Sequence, residues 1–149
     1  MSKDVGVRGI EYVKDFLLNK GNFKSSILGG RSHMLLLDNS KVKIKVNSKN
    51  GKVWPSINGN PPGDETIRVL CDFNVTNKNL PDCYILTADN LIEVLRKNVV
   101  LENKRKGREW LRITEKNEVV TNDATDDFNG LNTKEEMVSE FKDNWGIIK

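Results

Sequence analysis

The fifteen residues HMLLLDNSKVKIKVN, His33 to Asn47, constrain this chain more tightly than any other segment. Two apolar runs flank the turn-prone Asp38-Asn39-Ser40. In the second run Val42, Ile44 and Val46 alternate with Lys41, Lys43, Lys45 and Asn47. A period of two matches the side-chain alternation of a β-strand and not the 3.6-residue turn of a helix. The segment therefore predicts a β-hairpin with one buried and one polar face, and the rest of the chain must cover the buried side.

Candidates for that cover follow from the same kind of reading. Ile10, Val13, Phe16 and Leu17 fall at helical spacing within residues 5–20, and Gly21 stands where a helix would stop. A short apolar segment at 23–28 ends at Gly29-Gly30. Residues 66–75 and 83–87 read as two further strands joined by a polar link. A helix follows from Ala88 or Asp89, with Leu91, Ile92, Val94 and Leu95 on its apolar side. Residues 48–65, rich in Gly, Asn, Ser and Pro, read as a long loop with Trp54 as its only large anchor, a length that suggests a functional surface.

The Lys104-Arg105-Lys106-Gly107-Arg108 run reads as an exposed connection. After it come a short strand at 110–113, an acidic loop, and a helix capped near Thr133 with Glu135 and Glu136 in its first turn. Trp145, Ile147 and Ile148 are placed to pin the tail to the core. The order α-β-β-β-β-β-α-β-α predicts an α/β (α+β) domain, a central mixed sheet of about five strands flanked by helices. Residues 102–149 form an extension packed on that core.

Composition bounds the setting. A chain of 149 residues with 37% hydrophobic and 30% charged residues suits a single globular domain. No apolar run approaches the roughly 18 residues that span a bilayer, and MSKDVGVRGI lacks the apolar stretch of a signal peptide, so the expected location is cytoplasmic. Cys71, Cys83 and the single His33 cannot furnish a usual four-ligand zinc site, and the cysteines read as core thiols. The formal charge of +3 is too small to announce a nucleic-acid partner by itself.

Four stretches carry a resemblance. GVRGIEYVKDFLLNKG is similar to a first helix, HMLLLDNSKVKIKVNSKNGKVWP to a signature hairpin, and VLCDFNVTNKNLPDCYILT to the strands after it. EWLRI and KDNWGIIK are similar to the tail. Together the chain resembles the PD-(D/E)XK nuclease-like (restriction-endonuclease-like) superfamily, and within it a group of small bacterial and phage-associated proteins. The resemblance implies phosphodiester hydrolysis with Mg²⁺, held by an aspartate on the first hairpin strand and by Glu, Asp or Gln on the second. A lysine stands two residues further on, and Glu11 matches a first-helix glutamate found in many members.

Laid on this hairpin, the pattern puts Met34 at the aspartate position, Lys45 at the Glu/Gln position and Asn47 at the lysine position. A thioether is a feeble ligand for a hard cation, Lys45 brings positive charge to the metal's place, and Asn47 lacks the lysine's charge. The expectation is a degenerate motif with no confident catalytic residue, metal or cofactor. A shifted register would take Asp38 as the aspartate and Lys45 as the lysine, which keeps Asp38, with Glu11 and His33, as a residual catalytic candidate, although Asp38 lies in the turn and Lys43 rather than an acid stands two before Lys45. Glu11, Asp72 and Asp82 are scattered carboxylates that would have to converge to make an unorthodox metal site.

The lysine face has two readings. Alternating lysines solubilise an exposed strand or protect an edge. Lys41, Lys43 and Lys45 also recur every ~6.6–6.8 Å, comparable with phosphate spacing along a nucleic-acid strand. Arg31, Lys49 and Lys52 lie nearby in sequence to extend a groove, and Trp54 is a candidate for stacking on a base, although a loop Trp beside Pro55 more often anchors its loop to the core. His33, next to the aspartate position, invites an acid/base role, whereas a lone strand histidine commonly packs.

Three functions follow as expectations. The first is a catalytically inactive nuclease-like domain that binds nucleic acid or a protein partner through its former active-site face. The second is an active Mg²⁺-dependent endonuclease with a migrated motif. The third is a non-enzymatic interaction factor, of immunity, anti-defence or assembly type, whose acidic C-terminal third meets a basic partner. Neither a membrane nor a small-molecule cofactor is expected.

Overall fold

A computed structural model of the chain describes residues 4–29, 33–57, 60, 64–74, 80–105, 111–113, 119–121 and 131–148, with the backbone alone for 56, 99–105, 111–113 and 119–121. Helix α1 spans Val5–Gly21 and is followed by strands β1 (Ser25–Ile27), β2 (Met34–Leu37) and β3 (Lys43–Lys49). Next come β4 (Trp54–Ile57), β5 (Ile67–Asp72), β6 (Asp82–Leu86), helix α2 (Ala88–Arg105), β7 (Leu111–Ile113), β8 (Val119–Thr121) and β9 (Leu131–Thr133). Single 3-10 turns at Glu135–Met137, Ser139–Phe141 and Trp145–Ile147 close the chain.

Five strands form one mixed sheet, the kind and size of sheet expected from the sequence, and their order is β1-β2-β3-β5-β6. The β2–β3 hairpin is antiparallel, β3 and β5 run parallel, and β5–β6 is antiparallel again. Parallel neighbours require a crossover, and the chain between β3 and β5 supplies it. That stretch contains β4, which leaves the main sheet to pair with β9, so the expected uninterrupted loop at 48–65 is corrected. The expected C-terminal helix is also corrected. The 3-10 turns at 135–147 replace it, each too short to be held by anything but its packing.

Each face of the sheet carries a hydrophobic cluster, the second drawn from β5 and β6 and not from β2 or β3. On one face Leu35, Leu37, Ile44, Val46, Val69, Cys71 and Ile85 meet Ile10, Val13 and Leu17 of α1. On the other, Leu70, Tyr84 and Leu86 meet Leu91, Ile92, Val94 and Leu95 of α2, together with Trp54, Ile57, Leu131 and Val138. The tail passes from the second layer to the first around the β6 edge. Asp143 N–H donates to the Cys83 carbonyl (2.9 Å), Asn144 Nδ2 to that of Ile85 (3.3 Å), and Trp145 stacks on Phe16 with centroids 4.3 Å apart. Among the described residues no helix is long and apolar enough to cross a membrane.

The helix ends are specified locally. Asp4 Oδ1 accepts from Gly6 N–H at 2.8 Å and caps α1. At its far end Asn22, not Gly21, takes the left-handed conformation (φ 56°), and Phe23 N–H returns to the Leu17 carbonyl at 2.9 Å. For α2, Thr87 Oγ1 accepts from Asn90 N–H while Asn90 Oδ1 accepts from Thr87 N–H, both at 3.1 Å, a reciprocal capping box.

Gly9 sets how closely α1 approaches β3. A Cβ there would stand 1.8 Å from Ser48 Oγ and 3.0 Å from Ser48 Cβ. Alanine in a helix is ordinarily favoured over glycine by about 1 kcal/mol, but this overlap reverses the sign. Gly9→Ala is expected to destabilise by about 1–3 kcal/mol, read by urea unfolding, with Ser48→Ala in the same chain restoring part of the loss. A Gly9→Ala chain as stable as the parent would show that α1 lies farther from the sheet.

Candidate functional site

Strand parity decides which side chains share a surface. Met34 pairs with Lys45, Leu36 with Lys43, and Lys45 in turn with Arg68 across the parallel β3–β5 ladder. Side chains at directly paired positions point to the same face, and neighbouring strands lie ≈ 4.8 Å apart. Met34, Leu36, Lys43, Lys45, Asn47 and Arg68 thus stand on one side of the sheet, opposite α1. The second cluster draws on β5 and β6 but not on β2 or β3. Over these two strands Lys43 is exposed, and Met34, Leu36, Lys45 and Asn47 are half-buried.

The positions that the resemblance assigns to a metal-binding motif therefore do share a face, with Met34 and Lys45 directly cross-strand. The donor set does not suit a hard divalent cation: a thioether, an ammonium and a carboxamide, with the Arg68 guanidinium beside them. Burial, and then the charge of Arg68, lower the Lys45 ammonium from its ordinary value. Burial likewise lowers Arg68, with Asp64 acting in the opposite sense. Asp64 is held low chiefly by hydrogen bonds from the Thr66 hydroxyl (2.5 Å) and amide (2.8 Å), then by the charges of Lys43 and Arg68. Asn60 Oδ1 accepts from Arg68 Nη2 at 3.4 Å. The Asn47 Oδ1, shielded from solvent, has no hydrogen-bond partner among the described residues.

The remaining candidates separate. Lys41 lies in the turn before β3, exposed, with φ 59°, so the in-strand lysine strip begins at Lys43. His33, also left-handed (φ 49°), sets its ring against α1, where a Cβ on Gly6 would meet Nε2 at 2.7 Å. That packing puts it on the side away from Lys45. Glu11 belongs to α1, the layer over the opposite face. Asp38 accepts from Ser26 Oγ at 3.1 Å in the hairpin turn. Arg31 lies outside the described residues, as do most of the Lys104–Arg108 connection and most of the acidic stretch, whose residues 119–121 form β8 paired with β7 rather than loop.

Trp54 anchors its segment to the core, which removes the base-stacking reading, while Lys49 departs most from expectation. Trp54 is 0% exposed, its indole N–H donates to the Cys71 carbonyl at 3.0 Å, and its ring meets Tyr84 edge-on. It has no face to offer a base. Lys49 is 3% exposed: its Nζ lies 2.5 Å from Glu135 Oε2, 3.7 Å from Asp72 Oδ2, 3.3 Å from the Lys52 carbonyl and 4.7 Å from the Trp54 ring centroid. The parity that exposes Lys43 carries Lys49, six residues on, under the tail. Lys52 remains exposed.

Asp72 and Asp82 face each other across β5–β6, and each has a cation, Lys49 and Lys142 (both 3.7 Å). Tyr84, beside them, is pushed up to about 12 by burial and then by Asp82, Asp72 and Glu135. Among the described residues no three His, Cys, Asp or Glu side chains converge as metal ligands. Cys71 and Cys83 pair across the same strands with Sγ atoms 3.6 Å apart, and that contact, with burial, pushes the Cys83 thiol up.

The Lys49–Glu135 contact gives a pH dependence. A hydrogen bond from Lys49, then a backbone amide, hold the Glu135 carboxyl below its ordinary 4.5. A carboxyl with a depressed folded value adds stability above the unfolded value, and that stability is lost as pH falls through the folded one. The stability gap between the parent and Glu135→Gln is expected to be constant above about pH 5.5 and to shrink below the 4.5 of the free carboxyl. Urea midpoints measured over that range check it, and a gap that widens on acidification would exclude the contact.

Arg68 and Asp64 were not singled out in the sequence. Alternation of Ile67, Val69 and Cys71 with Arg68, Leu70 and Asp72 marks Arg68 as belonging to the other face. Its register beside Lys45 is a property of the ladder alone. No protein-family model, curated protein or solved structure matches this chain.

Proposed function

We propose that this chain is a catalytically inactive nuclease-like domain that binds the phosphate backbone of nucleic acid through Lys43, Lys45 and Arg68. The observation that supports this reading is the juxtaposition of Lys45 and Arg68, register neighbours on adjacent strands. Two like charges brought together in a partly desolvated site repel, here with Asp64 acting on Arg68 in the opposite sense. A phosphate oxyanion between them would relieve that repulsion, while Lys43 extends the contact along β3 and Met34 and Leu36 offer apolar surface. Recognition of this kind is governed by counterion release and carries little base specificity.

Fluorescence anisotropy with single- and double-stranded DNA and RNA over a salt series tests the reading. Binding should weaken steeply with salt, and each of Lys43→Ala, Lys45→Ala and Arg68→Ala should reduce the slope by about 1. Absence of affinity, with a stable complex in pull-downs, would favour a protein partner instead. Cleavage of nucleic acid with Mg²⁺ or Mn²⁺, abolished by Glu11→Ala or Asp38→Ala, would overturn the inactive reading.

A further inference from the structure

A second polar surface lies where β3 and β5 end together. There a cleft of about 500 Å³ is lined by Lys49, Asn50, Gly51, Lys52, Asn74, Lys134 and Glu135. Crevices beyond the carboxyl ends of parallel strands are common ligand positions, because the chain must turn away there and leaves backbone groups and side chains facing one opening. Three cations line this one. Lys52 and Lys134 are exposed, and Lys49 presents an ammonium that is almost wholly removed from water. Asn74 Nδ2 donates to the Gly51 carbonyl and braces one wall.

Glu135 is the informative residue. Its carboxylate hydrogen-bonds the buried Lys49 ammonium at 2.5 Å, yet its side chain is 50% exposed and sits on a single 3-10 turn. Asp72, by contrast, is 5% exposed and fixed: it accepts from Asn74 N–H at 2.9 Å and lies 3.7 Å from Lys49. An oxyanion on Lys49 can therefore be exchanged from the solvent side without leaving the ammonium uncompensated.

We infer that this cleft is a phosphate-binding subsite in which Glu135 acts as an internal stand-in for the ligand. An incoming phosphoryl group takes the Glu135 position on Lys49, Glu135 swings into water, and Lys52 and Lys134 supply the remaining charge. Asp72 stays in place and limits affinity. The subsite is independent of the Lys43–Lys45–Arg68 face.

The test is a titration of the isotopically labelled full-length chain with sodium pyrophosphate at constant ionic strength, followed by amide shifts. Saturable shifts confined to Asn50–Lys52, Asn74 and Lys134–Glu135 are expected. The affinity should rise about fivefold in Glu135→Gln and fall about fivefold in Lys52→Ala/Lys134→Ala. The double variant alters exposed side chains only, so it carries the test even where Glu135→Gln perturbs the tail. Shifts that never saturate and spread over the surface, or equal affinity in all three chains, overturn the inference. Lys43→Ala/Lys45→Ala/Arg68→Ala should leave the pyrophosphate response intact, so failure of the subsite and failure of the proposed nucleic-acid face are read separately.

Oligothymidine with and without a 5′-phosphate identifies the source. A preference for the phosphorylated strand that disappears in Lys52→Ala/Lys134→Ala assigns the site to a strand end. Equal binding of the two strands, with the pyrophosphate response retained, assigns it to a small free phosphate.

Discussion

Trp54→Ala is expected to cost about 3–5 kcal/mol, the range for removing a large buried aromatic side chain. The indole is sealed between the sheet and the β4–β9 layer, packs edge-on against Tyr84, and underlies the Lys49 ammonium. Alanine would leave a void, and it would orphan both the Cys71 carbonyl contact and the cation–π contact. Against a total stability of about 5–15 kcal/mol, that loss moves the urea midpoint down by roughly 2 M. Trp54→Phe separates volume from hydrogen bonding. It keeps most of the packing and loses the N–H donor, for an expected cost of about 1–3 kcal/mol. A Trp54→Ala midpoint within experimental error of the parent would mean that this ring is not enclosed.

Lys49→Met should be comparably damaging for an electrostatic reason. Methionine fills similar length, but its thioether leaves the buried Asp72 carboxylate without its cation. Breaking a buried pair by removing one partner typically costs about 3–5 kcal/mol, because the charge left behind has already lost its water. Asp72→Asn in the Lys49→Met background should recover much of the loss by removing that charge. The double-mutant cycle should give a coupling of about 1–3 kcal/mol. Additive effects would place Lys49 and Asp72 in separate, solvated environments.

These two residues also show why the sequence misled at particular points. Trp54 lies in a Gly-, Asn- and Pro-rich stretch that carries every local mark of a loop. Its strand character comes from pairing with β9, some 75 residues away, and Trp54↔Thr133 and Ile57↔Leu131 are contacts no local pattern encodes. Lys49 shares parity with Lys43 and Lys45, so alternation places it on the right face. Burial on that face depends on whether the tail and β4 pass over it, and they cover the end of β3 while leaving its start open. The C-terminal segment offered a good cap at Thr133 and acids in the first turn. Packing onto the β6 edge nevertheless breaks it into single 3-10 turns, with Tyr84 bridging to Lys142.

What local pattern could decide, it decided. The period of two around Lys43–Asn47, the helical spacing of Ile10, Val13 and Leu17, and that of Leu91, Ile92, Val94 and Leu95 each follow from side-chain geometry within one element. They suffice for an α+β fold with a five-stranded sheet and a helix on each side. The resemblance assigned Met34, Lys45 and Asn47 to motif positions; that Met34 stands on the face of Lys45 and Asn47 follows from the β2–β3 register, which the three-residue turn read from the sequence would have set one residue off. The tertiary structure alone set Arg68 against Lys45, drew Lys49 between Asp72 and Glu135, buried Trp54, and turned the His33 ring toward α1. Each of those outcomes depends on parallel pairing or on layers closing over a strand. Such contacts join residues far apart in the chain, and their cost in loop closure is offset only once the whole core has formed.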